Sequence, residues 1–167
     1  DRDFYGSSLF EEVELYTKRA EALVKGLDFD VIHAHDWLSF GAALKAREIS
    51  NKPLVVHVHA TEFDRTGGNG VNSHVYSIER KSMEVADKVI AVSNFTKQII
   101  TERYSIPKEK VEVVHNGIDM AEHEENIKRK QTPLRVLKEK GKDVVLFVGR
   151  ITLPKGLEYF LYAAKRV

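Results

Sequence analysis

The sequence contains no cysteine, which excludes disulfides, thiolate metal centres and a cysteine nucleophile. Net charge is nearly absent as well. The 26 basic and 25 acidic side chains leave a formal charge of +1, too little for general electrostatic attraction to nucleic acid. Long apolar runs are missing: Val144 to Val148, among the longest, falls far short of the ~20 residues that a membrane-spanning helix needs. No signal-peptide pattern opens the chain. What remains is the length of one ordinary domain, 167 residues, with hydrophobic (43%) and charged (31%) fractions that argue against wholesale disorder. A soluble, cytoplasmic globular protein is the expectation. The chain starts at Asp1 rather than at methionine, and it ends at Val167 inside a helical pattern with no glycine or proline to stop it. A piece of something longer is therefore expected.

Ser8 and Glu11 have the spacing of a capping box. Phe10, Val13, Tyr16, Ala20, Leu23, Val24 and Leu27 then recur at helical intervals, with Gly26 near the end. Asp30 to His35 is short and β-branched and predicts a strand. A helix from about Leu38 to Ile49 follows, closed by Ser50-Asn51-Lys52-Pro53, and Leu54 to His59 predicts the second strand. Glu62 to Ser73, with Thr66-Gly67-Gly68-Asn69-Gly70, has turn composition without periodicity and predicts a loop. A helix over His74 to Ala86, a strand over Lys88 to Val92, a helix over Asn94 to Tyr104 capped by Ser93, and a fourth strand over Lys110 to His115 complete the series. Strands alternating with helices at this spacing predict an α/β fold with a parallel sheet.

The character changes after Asn116-Gly117-Ile118-Asp119. Residues 120 to 131 are mostly charged and polar and read as a linker. Thr132-Pro133 starts a short predicted helix that Gly141 closes. Val144 to Val148 is apolar without alternation and predicts a strand buried on both faces. A loop and a helix from near Lys155-Gly156 follow, and a domain boundary is expected within 118 to 141.

In open parallel sheets, ligands collect beyond the carboxyl ends of the strands, and polar residues gather at those ends here. His33 and His35 share one face of the first strand, followed at once by Asp36 and Trp37. His57 and His59 repeat the pattern on the second, with Glu62 and Asp64 beyond. Ser93 and Asn94 end the third strand, and His115-Asn116-Gly117 the fourth. Any one of these histidines reads most simply as buried and hydrogen-bonded, but the row of strand ends reads as a site. A second constellation runs from Gly149-Arg150 to Lys155-Gly156. A strand leading to a helix N-terminus offers free N–H groups to an anion, Arg150 a planar fork and Lys155 a point charge. It is not a Walker loop, since Pro154 precedes the lysine and Gly156 replaces the metal-binding hydroxyl.

The run His33-Ala34-His35-Asp36-Trp37, then Val58-His59, Ala91-Val92-Ser93, His115-Asn116-Gly117-Ile118-Asp119, Val148-Gly149-Arg150 and Lys155-Gly156 resembles the glycogen synthase and group 1 glycosyltransferases. The resemblance implies a Rossmann-like parallel sheet flanked by helices, within a two-domain GT-B architecture whose halves face a cleft. By it, residues 1–118 are the later part of an acceptor-side domain, 119–141 a linker with a short helix, and 142–167 the first strand and helix of a nucleotide-sugar-binding domain. It also implies retaining transfer of a hexose from a nucleotide-diphosphate sugar to a glycan or other acceptor. Arg150, Lys155 and Gly149 match the donor diphosphate site. His59 matches a histidine beside the donor sugar, whose main-chain carbonyl stabilises positive charge at the anomeric carbon, and Asp36 an acidic residue towards the acceptor. His35, Trp37, Glu62, Asn116 and Gly117 are the remaining acceptor or cleft candidates.

Two cations suffice to neutralise a departing diphosphate, so no metal or other cofactor is expected, and neither is nucleic acid nor a membrane span. The family's opening glycine-rich loop and its later paired glutamates are not in the sequence, so this chain by itself is expected to give no turnover. Two other readings stay open. The two His-x-His pairs with Asp36 could serve a metal-dependent hydrolase, and the chain could be a non-catalytic sugar- or nucleotide-binding module.

Overall fold

Four short strands, β1 (Ile32–His35), β2 (Leu54–Val58), β3 (Lys88–Ala91) and β4 (Val111–Val113), pair in parallel in the order β1-β2-β3-β4. This is a computed structural model, and it describes residues 8–121, 137, 139–141, 143–152 and 155–166. The first unit, Asp1–His115, holds the sheet; the second is Asn116–Val167. The α/β parallel sheet predicted from the sequence is present; β1 ends at His35 as predicted but starts two residues late, and the other three strands end one or two residues early.

The connecting helices are α2 (Asp36–Ser50), α4 (Ser73–Val85) and α5 (Asn94–Arg103). With strands in sequential order, right-handed crossovers bring every connecting helix to the same side of the sheet. Side-chain alternation agrees. Ala34, Val56, Val58, Val89, Ala91 and Val111 are buried beneath those helices together with Phe40, Met83, Ile100 and Tyr104. His33, His35, Val55, His57, Ile90 and Glu112 alternate to the other face, where each is exposed or half-buried among the described residues.

Helix α1 (Leu9–Val24) packs on α2, where Gly41 lets the two approach: a Cβ there would meet Thr17 Oγ1 at 2.9 Å. The Ser8 capping box does not form. Ser8 already has helical dihedrals (φ −86°, ψ −17°) and its side chain makes no cap bond, whereas a capping residue needs extended backbone. Nor is the predicted apolar face fully covered. Phe10 and Val13 reach the core, but Leu23 stays 65% exposed, because α2 covers one side of the helix only.

Two other helix ends follow their sequence signals. Asn51, in the left-handed region (φ 54°), closes α2 by donating to Arg47 O, and Ser93 Oγ accepts from Thr96 N to open α5. The predicted loop at 62–73 instead begins with a helix, α3 (Glu62–Thr66). Thr61 Oγ1 accepts from Asp64 N while Asp64 Oδ2 accepts from Thr61 N at 2.7 Å, a reciprocal cap, and Gly67 (φ 64°) ends the turn. Asn72 then caps α4, its side chain accepting from His74 N and Val75 N.

In the second unit, α6 (Leu157–Ala164) starts at Gly156 as predicted, with φ 63° at that glycine. The strand predicted over Val144 to Val148 is not there. Those residues form no regular structure, and Val145 (77%) and Val148 (82%) are exposed. A strand needs a neighbouring strand to pair with and, to be doubly buried, cover over both faces; no strand pairs with it among the described residues. Phe147 instead sets its ring 5.5 Å from that of Phe160. Residues 122–131 of the predicted linker, and Thr132-Pro133 at the start of the predicted short helix, lie outside the described residues.

Candidate functional site

Strand β1 passes into α2 with no loop between them. Asp36 makes the junction by adopting φ 58°, a left-handed conformation that aspartate tolerates better than most residues. Its carboxylate thereby reaches the neighbouring strand end, where Oδ1 accepts from His59 N at 2.8 Å and from Ala60 N at 3.4 Å. Ser39 Oγ donates back to the carbonyls of His35 and Asp36, tying down the first turn. Asp36 thus fixes the backbone at the exit of β2.

His35 stands opposite His57 in the strand register. Across the two strands, His33, His35, His57 and His59 form one patch of imidazoles, with ring centroids 4.3 Å apart for His57–His59 and 4.5 Å for His33–His35. His35 Nδ1 and His59 Nε2 share a hydrogen bond of 2.9 Å. Both ring nitrogens of His57 are shielded and have no hydrogen-bond partner among the described residues. Burial, then the neighbouring rings, hold His33 and His57 below the ordinary imidazole pKa, so both are neutral at pH 7. One ligand nitrogen each from His33, His35 and His57 lies within 4.8 Å of the others, a grouping able to hold a metal ion.

Beyond His59 the chain is held by a buried network that the sequence reading missed. Glu79 on α4 accepts from Glu62 N at 3.1 Å, from Arg65 Nη1 at 2.7 Å and from the Tyr104 hydroxyl. Arg65 Nη2 donates to Ala60 O at 2.5 Å, so this network reaches the residue after His59. Burial pushes the Glu79 carboxyl above its ordinary value against the opposing pull of Tyr104 and Arg65, and burial also raises the Tyr104 phenol. One signal was available. Glu79 lies four residues from both Val75 and Met83, on the stripe that α4 buries.

Of the predicted residues, the structure brings Asp36, His35 and His59 together at the ends of β1 and β2. Trp37 it places elsewhere: the side chain is 2% exposed, in the core beneath the sheet, with its ring 5.8 Å from Phe10. Glu62 is also withdrawn from solvent, at 0% exposure, and its carboxylate accepts from Asn72 N at 3.1 Å, folding the glycine turn back onto α3. His115 Nδ1 contacts Val92 O at 3.1 Å, and Asn116 and Gly117 are exposed after β4. In the second unit Gly149 lies against the stem of Lys155: a Cβ on the glycine would be 3.8 Å from Lys155 Cγ. Lys155 N donates to Thr152 O at 3.0 Å, and Arg150 and Lys155 are both exposed.

A family model described as Glycosyltransferase Family 4 matches residues 8–122. The chain is 30% identical over 150 residues to an uncharacterized glycosyltransferase, MJ1607, of Methanocaldococcus jannaschii, covering 86% of this chain and 38% of that protein. It is 30% identical over 141 residues to a glycogen synthase of Mycobacterium tuberculosis (83% and 32%). It is 34% identical over 151 residues to an alpha-maltose-1-phosphate synthase of Mycolicibacterium smegmatis (81% and 37%). The chain therefore spans about a third of the length of these relatives.

Proposed function

The chain belongs to glycosyltransferase family 4, and on that premise we propose that it works in the transfer of a hexose from a nucleotide-diphosphate sugar to a glycan or other sugar acceptor, with retention of anomeric configuration. The observation that carries this reading is the tie between Asp36 and the His59–Ala60 backbone. A trans peptide is planar, with its N–H and C=O opposed. Holding Ala60 N–H towards Asp36 therefore aims the His59 carbonyl the other way, and Arg65 fixes the next carbonyl, that of Ala60. A carbonyl oriented in advance stabilises positive charge developing at an anomeric carbon without reorganisation. Asp36 is then a positioning residue for His59 rather than a base.

Acceptor binding falls to the first unit, with His35 at the same strand ends. Diphosphate binding falls to the second unit, where Arg150 forks onto phosphate oxygens and Lys155 adds a point charge next to the α6 N-terminus. These two cations neutralise the leaving nucleotide, so the reading includes no metal cofactor for transfer. Among the described residues no helix is long and apolar enough to cross a membrane, which is compatible with the cytoplasmic setting expected from the sequence. Family membership favours transfer over the metal-dependent hydrolase and over the non-catalytic module. Calorimetry with ADP, UDP and GDP tests the donor side: binding should fall at least tenfold in Arg150→Ala and in Lys155→Ala, and unchanged binding in both refutes the assignment. Incubation of this chain with radiolabelled ADP-, UDP- and GDP-glucose should give neither transfer nor hydrolysis, because it spans so little of its relatives' length. Turnover would overturn that expectation.

A further inference from the structure

The imidazole patch is larger than the transfer reading needs. That reading uses His59 and His35, yet His33 and His57 complete the patch, and His57 has two shielded nitrogens with no hydrogen-bond partner among the described residues. A His-x-His pair on one strand points both rings to the same face. Parallel register then sets His57 directly across from His35, so three rings from two strands meet on the half-open side of the sheet.

We propose that His33, His35 and His57 bind one divalent transition-metal ion of the zinc and nickel class, on nitrogens that already lie within 4.8 Å of one another. Three imidazoles suit these borderline ions, with water completing the coordination. His35 Nδ1 is engaged with His59 Nε2, which leaves Nε2 of His35 for the ion. His59 thereby becomes the outer partner that orients a ligand ring. Entry is open, because His33 and His35 are exposed. The rings stack rather than point inward (6° between His33 and His57), so binding turns them from stacked to convergent rotamers. The site lies wholly within the first unit, and it neither requires nor implies hydrolysis.

Metal-free protein titrated calorimetrically with zinc and with nickel chloride tests the proposal, with retained metal measured after desalting. One ion per chain is expected. His33→Gln and His57→Gln should each weaken binding at least tenfold, and the double variant at least 100-fold. His59→Gln should cost about 10-fold to 100-fold as an outer partner, whereas His74→Gln and His115→Gln, outside the patch, should leave affinity unchanged. Circular dichroism checks that each variant folds. If one does not, peptide mapping after diethyl pyrocarbonate treatment of the unaltered protein decides: zinc should protect the exposed His33 and His35 but not His74 or His115. Absence of stoichiometric binding, undiminished affinity in the double variant, or equal loss in the His74 and His115 variants overturns the site.

Discussion

Replacing Glu79 by alanine removes the acceptor for three donors at once: Glu62 N, Arg65 Nη1 and the Tyr104 hydroxyl. Glu79 is 3% exposed and Tyr104 0%, so water cannot readily replace the carboxylate. Each of the two neutral donors left unsatisfied costs about 1–3 kcal/mol. Arg65 is 24% exposed and also lies 3.7 Å from the Glu62 carboxylate, so its loss is well below the ~3–5 kcal/mol for breaking a fully buried pair. With about 1 kcal/mol for Arg65, the sum is about 3–7 kcal/mol, which reaches the lower end of the ~5–15 kcal/mol that holds a typical domain folded. Glu79→Gln keeps an acceptor oxygen and the volume, and should cost about 1–3 kcal/mol. Urea unfolding followed by circular dichroism measures both. An alanine variant within about 1 kcal/mol of the unaltered protein, or a glutamine variant as damaging as alanine, would refute the reasoning. The pH dependence adds a signature. Because burial raises the folded-state pKa of Glu79 above 4.5, the folded state holds this proton more tightly than the unfolded one. Its contribution to stability is full below pH 4.5 and is lost as pH rises through the folded pKa. Glu79→Gln should abolish that component.

Asp36→Ala should destabilise by about 2–3 kcal/mol, combining the lost acceptor for two backbone donors with an alanine in the left-handed region. Asp36→Asn, which tolerates that conformation and keeps an acceptor, should cost under about 1 kcal/mol; equal midpoints in urea contradict this. At Asp87 the Arg47 hydrogen bond, then the Leu54 N–H, hold the carboxyl below 3.8. A depressed folded pKa means that the benefit is present above pH 3.8 and lost as pH falls through the folded value. Asp87→Asn should flatten that acid limb of the melting temperature against pH, and an unchanged limb excludes Asp87 as its source.

Local chemistry was sufficient for much of the first unit. The alternation of β-branched runs with capped helical stretches specified a parallel α/β sheet, because strand period, helix period and the caps at Asn51 and Ser93 are each set within a few residues. The His-x-His spacing likewise placed each pair of rings on one strand face. Helix α3 was hidden because Glu62–Thr66 is too short to show a helical period. Trp37 and Glu62 are motif neighbours of site residues in sequence, yet one joins the core and the other braces a turn. Glu79 resembled any charged helix residue until Arg65 and Tyr104 closed on it. Val144 to Val148 had a strand's composition and found no strand to pair with among the described residues. Periodicity and capping are properties of neighbours along the chain, so the sequence by itself determined them. Burial, the meeting of four imidazoles and the aim of the His59 carbonyl depend on parallel register bringing β1 beside β2, and that only the tertiary structure decided.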